Sequence, residues 1–429
     1  MTDRRPKLLG LVLFTFIAAA VIALNAAMNR GGLLGFSLYG AVTLTYLLLK
    51  ILFSLRYRPF EAPEDAGNLY RVAVVVPVYN EDPQTFQACL QSILRQARTI
   101  EEIYIVDDGS QDPACFHMAE EMLRGTPHHV VRFGENRGKR YAQEVCFRRT
   151  TADIVLTVDS DSLLDPSAVR EGLKPFTRPD IQGVCGQVRV LNRSHNFLTR
   201  ILDLRYRNSF LYERTAYTVW DSVLCSSGVI SFWRSDLVRS HLDDYLHQTF
   251  LGVPVGYGDD RRMTNYALLQ GRVVFQETAI ADTMVPISLG HFLRQQNRWN
   301  KSFFRETLFA LSRLPLRRIA WWLSLSEVTL WFFFTVNLFA SIVRPLFGGT
   351  ALAVYYLGYL ALMAYARNVR FGAGNWGTFL LSPLYGALHL FLLVPLRVVS
   401  LFSLRDGRWG TRGGDGPPPP SIGSYASSA

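Results

Sequence analysis

Cysteine is scarce in this chain: Cys89, Cys115, Cys146, Cys185 and Cys225 are widely spaced and form no C-x-x-C pair. That excludes a zinc-ribbon or disulfide-framework reading and leaves isolated thiols in a reducing compartment. Charge is also thin, with 19% charged residues against 49% hydrophobic, and the apolar residues gather near the two ends, so an all-soluble protein is not expected. No internal repeat stands out. The basic excess, 45 Lys and Arg against 35 Asp and Glu for a net +10, lies beside apolar segments and motif loops. It forms no single aromatic-interleaved stripe, so nucleic acid is not an expected partner.

What the ends do contain is long uncharged runs. Leu8 to Asn29 and Gly31 to Leu49 carry no charge, and each is near the ~20 residues a helix needs to cross a bilayer. A cleaved signal peptide is disfavoured by the length of the first run and the second run that follows it. Arg4, Arg5 and Lys7 before the pair and Lys50, Arg56 and Arg58 after it place both flanks in the cytoplasm by the positive-inside rule. Toward the other end, Ile319 to Val343 carries only Glu327, while Pro345 to Ala366 and Phe371 to Leu396 carry no charge. Glu327, an isolated carboxylate in an apolar segment, is a functional candidate unless it lies near enough to the interface to stay hydrated. Basic residues follow the second and third of these segments, and three full crossings cannot satisfy that parity. The third, interrupted by Pro383 and Pro395, is expected as a re-entrant or interfacial pair of short helices. The tail from Gly413, with four consecutive prolines, is expected to be disordered.

The middle reads as alternating strands and helices. Val72 to Val78 is a β-branched run ending in Tyr79-Asn80-Glu81-Asp82, followed by a helical pattern at Phe86, Leu90, Ile93 and Leu94. The unit recurs as Ile103 to Val106 running into Asp107-Asp108-Gly109-Ser110, and as Ile154 to Val158 running into Asp159-Ser160-Asp161. Such alternation predicts a largely parallel sheet with its ligand at the carboxyl ends of the strands, where each acidic loop falls. A carboxylate there can be only a helix cap, which is the bland reading of Asp107 and Asp108. Asp159 and Asp161, one residue apart after an apolar strand, can instead aim oxygens at one Mg²⁺ or Mn²⁺ bridging to a diphosphate.

Taken with Asn136-Arg137-Gly138-Lys139-Arg140, Gly258-Asp259-Asp260-Arg261 and Gln295-Gln296-Asn297-Arg298-Trp299, these motifs resemble, in order, those of the processive membrane glycosyltransferases that include cellulose, chitin and hyaluronan synthases. Within that group the chain is most similar to the streptococcal-type hyaluronan synthases, through Gln295 to Glu306, the stretch around Leu380 to Gly386, and Trp409-Gly410-Thr411-Arg412. The resemblance covers about residues 5 to 412. It implies a GT-A-like α/β nucleotide-sugar domain, 57–286, inserted between membrane helices at 1–56 and 319–404. Amphipathic interfacial helices at 287–318 and a loop and tail at 405–429 complete the division.

It further implies a plasma-membrane, multi-pass enzyme with its catalytic domain in the cytoplasm. The expected substrates are UDP-N-acetylglucosamine and UDP-glucuronate, the product a growing polysaccharide, with membrane lipids around it. The implied roles are a UDP-sugar pocket of Tyr79, Glu81, Asp107, Asp108, Lys139 and Arg140, covered by Trp409, Thr411 and Arg412. Asp159 and Asp161 would hold the metal, Asp260 beside Asp259 would be the general base, and Gln295, Arg298 and Trp299 would serve leaving group and acceptor. Their spacing puts Gln295, Arg298 and Trp299 on one side of a helix. The bland alternative for Arg298 and Trp299 is an interfacial anchor, and for Trp409 to Arg412 a basic juxtamembrane tail. One departure stands out. Where the resembled synthases carry Ser-Gly-Pro-Leu-Ser, this chain has Ser227-Gly228-Val229-Ile230-Ser231, beside Cys225, which leaves a single-donor, chitin-like activity as the alternative.

Overall fold

The computed structural model describes residues 34–63, 69–343, 350–372 and 376–407. The first apolar run, the tail, and Trp409, Thr411 and Arg412 lie outside the described residues. The central sheet has eight strands: β1 Val72–Val78, β2 Glu102–Asp107, β3 His129–Arg132, β4 Ile154–Val158, β5 Ser162–Leu164, β6 Ile181–Val190, β7 Ile230–Arg234 and β8 Arg272–Thr283. Their spatial order is β3-β2-β1-β4-β7-β6-β8-β5. β1 to β4 pair in parallel, as do β6 and β8. The three parallel strands with acidic ends are almost wholly buried, as expected of strands covered on both faces, which is why they read as unbroken apolar runs.

The departure from a purely parallel sheet is β7, which runs antiparallel to both β4 and β6, and β5, antiparallel to β8. β7 follows directly from Ser227-Gly228-Val229, so the departed motif turns into the middle of the sheet. Five helices beyond the sheet position the rest: α1 Leu34–Arg56, α2 Phe197–Arg207, α3 Asp259–Gln270, α4 Leu289–Arg313 and α5 Ile319–Val343. A sixth, α6 Thr350–Gly372, precedes the helical stretch Trp376–Phe402. Asn196 caps α2 by accepting from Thr199 N–H at 2.9 Å, and Ser288 starts α4.

α2 continues through a π-helical segment, Asn208–Arg214, into Thr215–Thr218. This bent rod meets the apolar helices: Tyr212 donates to the Leu47 carbonyl at 3.0 Å, Asn208 bonds Asn368, and Arg367 pairs with Glu213. Lys50 of α1 donates to Tyr217 at 2.7 Å, Tyr217 bonds Glu327 of α5, and Lys50 lies 3.9 Å from Glu327. The isolated carboxylate of the sequence thus faces protein. Ile319–Val336 and Trp376–Phe402 are long and apolar enough to cross a membrane. The second is a run of short helices broken at Leu381, before Ser382 and Pro383, and passing through a π-helical turn at His389–Leu393. Of the two interruptions expected from sequence, the one at Pro383 is present, while at Pro395 the helical run continues out of the π-helical turn.

Candidate active site

One cavity of about 1480 Å³ begins at the carboxyl ends of β1, β2 and β4 and runs between α2, α3 and α4 to the apolar helices. Tyr79, Glu81, Asp108, Lys139, Asp159, Asp161, Asp259, Asp260, Gln295, Arg298 and Trp299 all line it, as does Cys225. At its far end are Tyr46, Tyr217, Glu327, Tyr385, His389 and Arg397.

At the strand ends, Asp108 does more than face the cavity. Its carboxylate accepts from the backbone N–H groups of Arg137 at 2.7 Å and Gly138 at 2.8 Å and from Asn136 Nδ2 at 3.1 Å. The β2 loop thereby pins the turn that presents Lys139. Glu81 accepts from Ser160 Oγ at 2.7 Å, linking the β1 and β4 loops. Lys139 Nζ lies 2.6 Å from Asp159 Oδ1 and 3.1 Å from Asp259 Oδ2. Burial alone would lower its pKa, but the two carboxylates outweigh this and keep the ammonium charged.

Gly228 lies over this pair. A Cβ there would sit 3.1 Å from Lys139 Nζ and 3.2 Å from Asp159 Oδ2, so its absence keeps open a cradle beside Asp159. Asp161 lines the same space. Two carboxylates with open space fit a hard divalent ion whose remaining oxygens come from a diphosphate and water. Among the described residues no group of three or more His, Cys, Asp or Glu side chains could hold a metal, so the protein supplies part of a coordination shell only.

Asp259 and Asp260 occupy the first turn of α3, where the helix N-terminus favours negative charge. Gly258 opens that turn at φ +88°, and a Cβ on it would strike Ser302 Oγ of α4, so glycine is required both for the left-handed backbone and for the close approach. Burial would raise the Asp259 pKa, but Lys139 and Arg140 overcome it and hold the group below the usual carboxylate range. Asp260, buried and next to the ionised Asp259, is pushed up to about 6. Two adjacent carboxylates are split in this way, one a fixed anion and one a group able to exchange a proton near neutrality.

α4 is fastened to α3 by Glu306, which sequence reasoning did not single out beyond its motif. Its carboxylate forms an ion pair with Arg262, 2.9 Å from Nε, accepts from Arg262 Nη2 at 3.2 Å, Gln248 Nε2 at 2.7 Å and Asn265 Nδ2 at 3.3 Å, and is 2% exposed. Only the motif length hinted at it. The same helix presents Trp299, 38% exposed, to the cavity. Lys301 and Tyr257 hold the chain near Asp406, at 3.1 Å and 2.9 Å, just before the Trp409 motif.

Two expected nucleotide contacts are placed elsewhere. Arg140 does not line the cavity: it is 3% exposed, donating to the Tyr245 carbonyl and Gln248 Oε1, each at 2.6 Å. The reason is helical geometry, since in the first turn of the helix Lys139–Arg149 adjacent residues point about 100° apart and only Lys139 faces the cavity. Asp107 is likewise occupied beneath the site, accepting from Ser110 N–H at 2.9 Å and pairing with Arg132 at 3.1 Å.

Comparison with known proteins gives the family and the fold. The description Glycosyl transferase family 2 matches residues 73–240. The hyaluronan synthase of Streptococcus pyogenes is 39% identical over 421 residues, covering 95% of this chain and 97% of that protein. An N-acetylglucosaminyltransferase of Azorhizobium caulinodans is 33% identical over 354 residues, 80% of this chain and 87% of the relative. The structure of the mannosyltransferase PcManGT from Pyrobaculum calidifontis in complex with GDP-Man and Mn²⁺ superposes with a TM-score of 0.56, at 19% identity, over 90% of this chain and 98% of that one. At that identity the likeness is one of fold.

Proposed function

The chain belongs to the hyaluronan synthase-type family 2 glycosyltransferases, and on that premise we propose that it polymerises alternating N-acetylglucosamine and glucuronate from their UDP-sugars and passes the product through its own helices. The observation that carries this reading is the single cavity that joins Asp108 and Lys139 to Trp299 and then to Glu327 and Arg397. A polymer of hydroxyls and carboxylates cannot cross hydrocarbon unsheltered, so an enzyme that keeps its growing chain needs such a passage.

In this mechanism Tyr79, Glu81 and Asp108 border the uridine end, and Lys139 faces the diphosphate. Asp159 and Asp161 would hold Mg²⁺ or Mn²⁺, which supplies positive charge to the departing UDP. Asp260 removes the proton from the acceptor hydroxyl as it attacks, a task suited to a carboxyl poised near 6. Asp259 stays ionised and anchors Lys139. Arg298 stabilises charge on the leaving group, and Trp299 offers its face to the acceptor ring. With Asp260 acting on the acceptor and positive charge on the departing UDP, the displacement would be inverting. The proposed topology is multi-pass in the plasma membrane, with the sheet domain cytoplasmic and, over the nucleotide, Trp409, Thr411 and Arg412.

A second reading, transfer from UDP-N-acetylglucosamine alone, is favoured by the missing proline in Ser227-Gly228-Val229. Purified protein in sealed vesicles, given each UDP-sugar alone and both together from outside, separates the two. Hyaluronidase-sensitive polymer made only with both donors, and protected in intact vesicles, is the expected result. Polymer from UDP-N-acetylglucosamine alone selects the second reading, and product fully digestible in intact vesicles refutes translocation.

A further inference from the structure

The wall of the cavity beside Trp299 carries a cation that makes no ion pair among the described residues, the carboxylate within its electrostatic reach, Glu213, being held by Arg367. Arg205, in the last turn of α2, lines the cavity with its guanidinium 5.7 Å from the Trp299 ring centre. Its protein hydrogen bond runs from Nη1 to Gln296 Oε1 at 2.6 Å. The nearby carboxylate of Asp203 is taken by Arg207 at 2.9 Å, and among the described residues Arg205 has no ion pair.

Gln296 supplies the second half of the observation. It is 3% exposed and lines the same cavity, yet its Nε2 has no partner among the described residues. The amide orientation is fixed by chemistry, because a guanidinium only donates and so must face Oε1, which turns the NH₂ away from Arg205. A buried amide donor left unmade is costly, and such groups in native proteins are met by a ligand or water. Here a cation without an ion pair and a buried donor without a partner, both among the described residues, lie beside one aromatic platform.

We propose that Arg205 and Gln296 form a uronate-binding subsite, in which the carboxylate of a glucuronate in the acceptor chain, its ring against Trp299, takes N–H bonds from both side chains. A planar carboxylate matches a guanidinium fork, and the amide completes the second oxygen. This rests on the hyaluronan reading and deepens it. The acceptor is chosen over the donor sugar because Arg205 stands over Trp299 of α4, and α2 packs, through Leu202 and Tyr206, in one apolar cluster with Leu388 and Leu393 of the last helical stretch.

The test is calorimetry on the full-length protein in detergent, with a hyaluronan tetrasaccharide, the same oligosaccharide with its carboxylates reduced to alcohols, UDP, and UDP-glucuronate. Wild type is expected to bind the carboxylated form about ten- to a hundredfold more tightly than the reduced one, the range of a charged hydrogen bond. Arg205→Gln should erase that ratio while leaving UDP and the reduced tetrasaccharide bound as before, and Arg205→Lys should restore part of it. Equal loss for both tetrasaccharides would show that Arg205 only braces Trp299 and overturn the proposal, as would an unchanged ratio. A loss confined to UDP-glucuronate would assign the cation to the donor and overturn it as well. Should Arg205→Gln fail to hold UDP, Gln296→Glu carries the test, since a carboxylate there pairs off Arg205 and must also abolish the ratio. Wild type that polymerises both donors yet shows no carboxylate preference sinks this subsite alone. Wild type that polymerises only UDP-N-acetylglucosamine sinks the hyaluronan reading and the subsite with it.

Discussion

Replacing Asp260 by Asn should disable the enzyme and stabilise it. The carboxyl is pushed from an ordinary 3.8 up to about 6 by burial and by the neighbouring Asp259. At ~1.4 kcal/mol per unit, keeping it ionised above pH 6 costs the folded state up to about 3 kcal/mol, less whatever the cavity water relieves. The sign follows from proton binding: between the two pKa values the folded chain holds the proton that the unfolded chain has lost, so this group's contribution to stability falls as pH rises through that window. Asn is neutral at every pH and escapes that cost. At pH 7.5 the variant should therefore melt a few degrees above wild type, using the ~2–4 °C per kcal/mol of larger domains, and the gain should vanish at pH 4. Turnover should fall ~10²- to 10⁴-fold, the usual share of a general base, with UDP affinity held within twofold in calorimetry. In wild type, kcat/KM should drop about tenfold for each unit below pH 6, because only the ionised base accepts the proton. A flat profile from pH 7.5 to 5, or a variant turning over within tenfold of wild type, would refute the assignment of Asp260 as base.

Asp161→Ala should raise the Mg²⁺ or Mn²⁺ concentration needed for half-maximal turnover steeply or abolish turnover, and undiminished wild-type turnover in excess chelator would show that Arg298 and Lys139 suffice without an ion. Gly228→Ala brings a methyl to 3.1 Å from Lys139 Nζ and 3.2 Å from Asp159 Oδ2; the donor KM should rise several-fold with the melting temperature held, and an unchanged KM would place the donor away from this cradle. Glu306→Gln removes the nearer of the two carboxylates that face the buried Arg262, leaving Asp244 at 3.7 Å, so thermal melting in detergent should show a loss of up to about 3 kcal/mol, and a midpoint within a degree of wild type would show that Glu306 does not clamp the two helices.

The parts of the fold that sequence revealed are those governed by local pattern. β1, β2 and β4 are buried on both faces and had to be written as β-branched runs, and their acidic ends mark where a ligand meets a parallel sheet. The antiparallel insertion of β7 was not legible, since strand order depends on pairings between distant segments that leave no periodicity behind. Site chemistry divided in the same way. Residues named by motif mostly face the cavity, but Arg140 and Asp107 do not, because neighbours in a sequence motif leave a helix or strand in different directions. Arg205 and Gln296 escaped notice for the opposite reason: neither looks unusual until 91 residues of chain fold one onto the other.

The Glu306 network has a kinematic consequence. It bolts α3, which carries Asp260, to α4, which carries Trp299, through Arg262 and Asn265, with Gln248 joined to the same carboxylate. Base and platform are therefore tied to one frame. Under the proposed function, a product that advances by one sugar after each addition would do so along that frame. The register of the polymer would then be set by where successive rings come to rest against Trp299 and the residues tied to it.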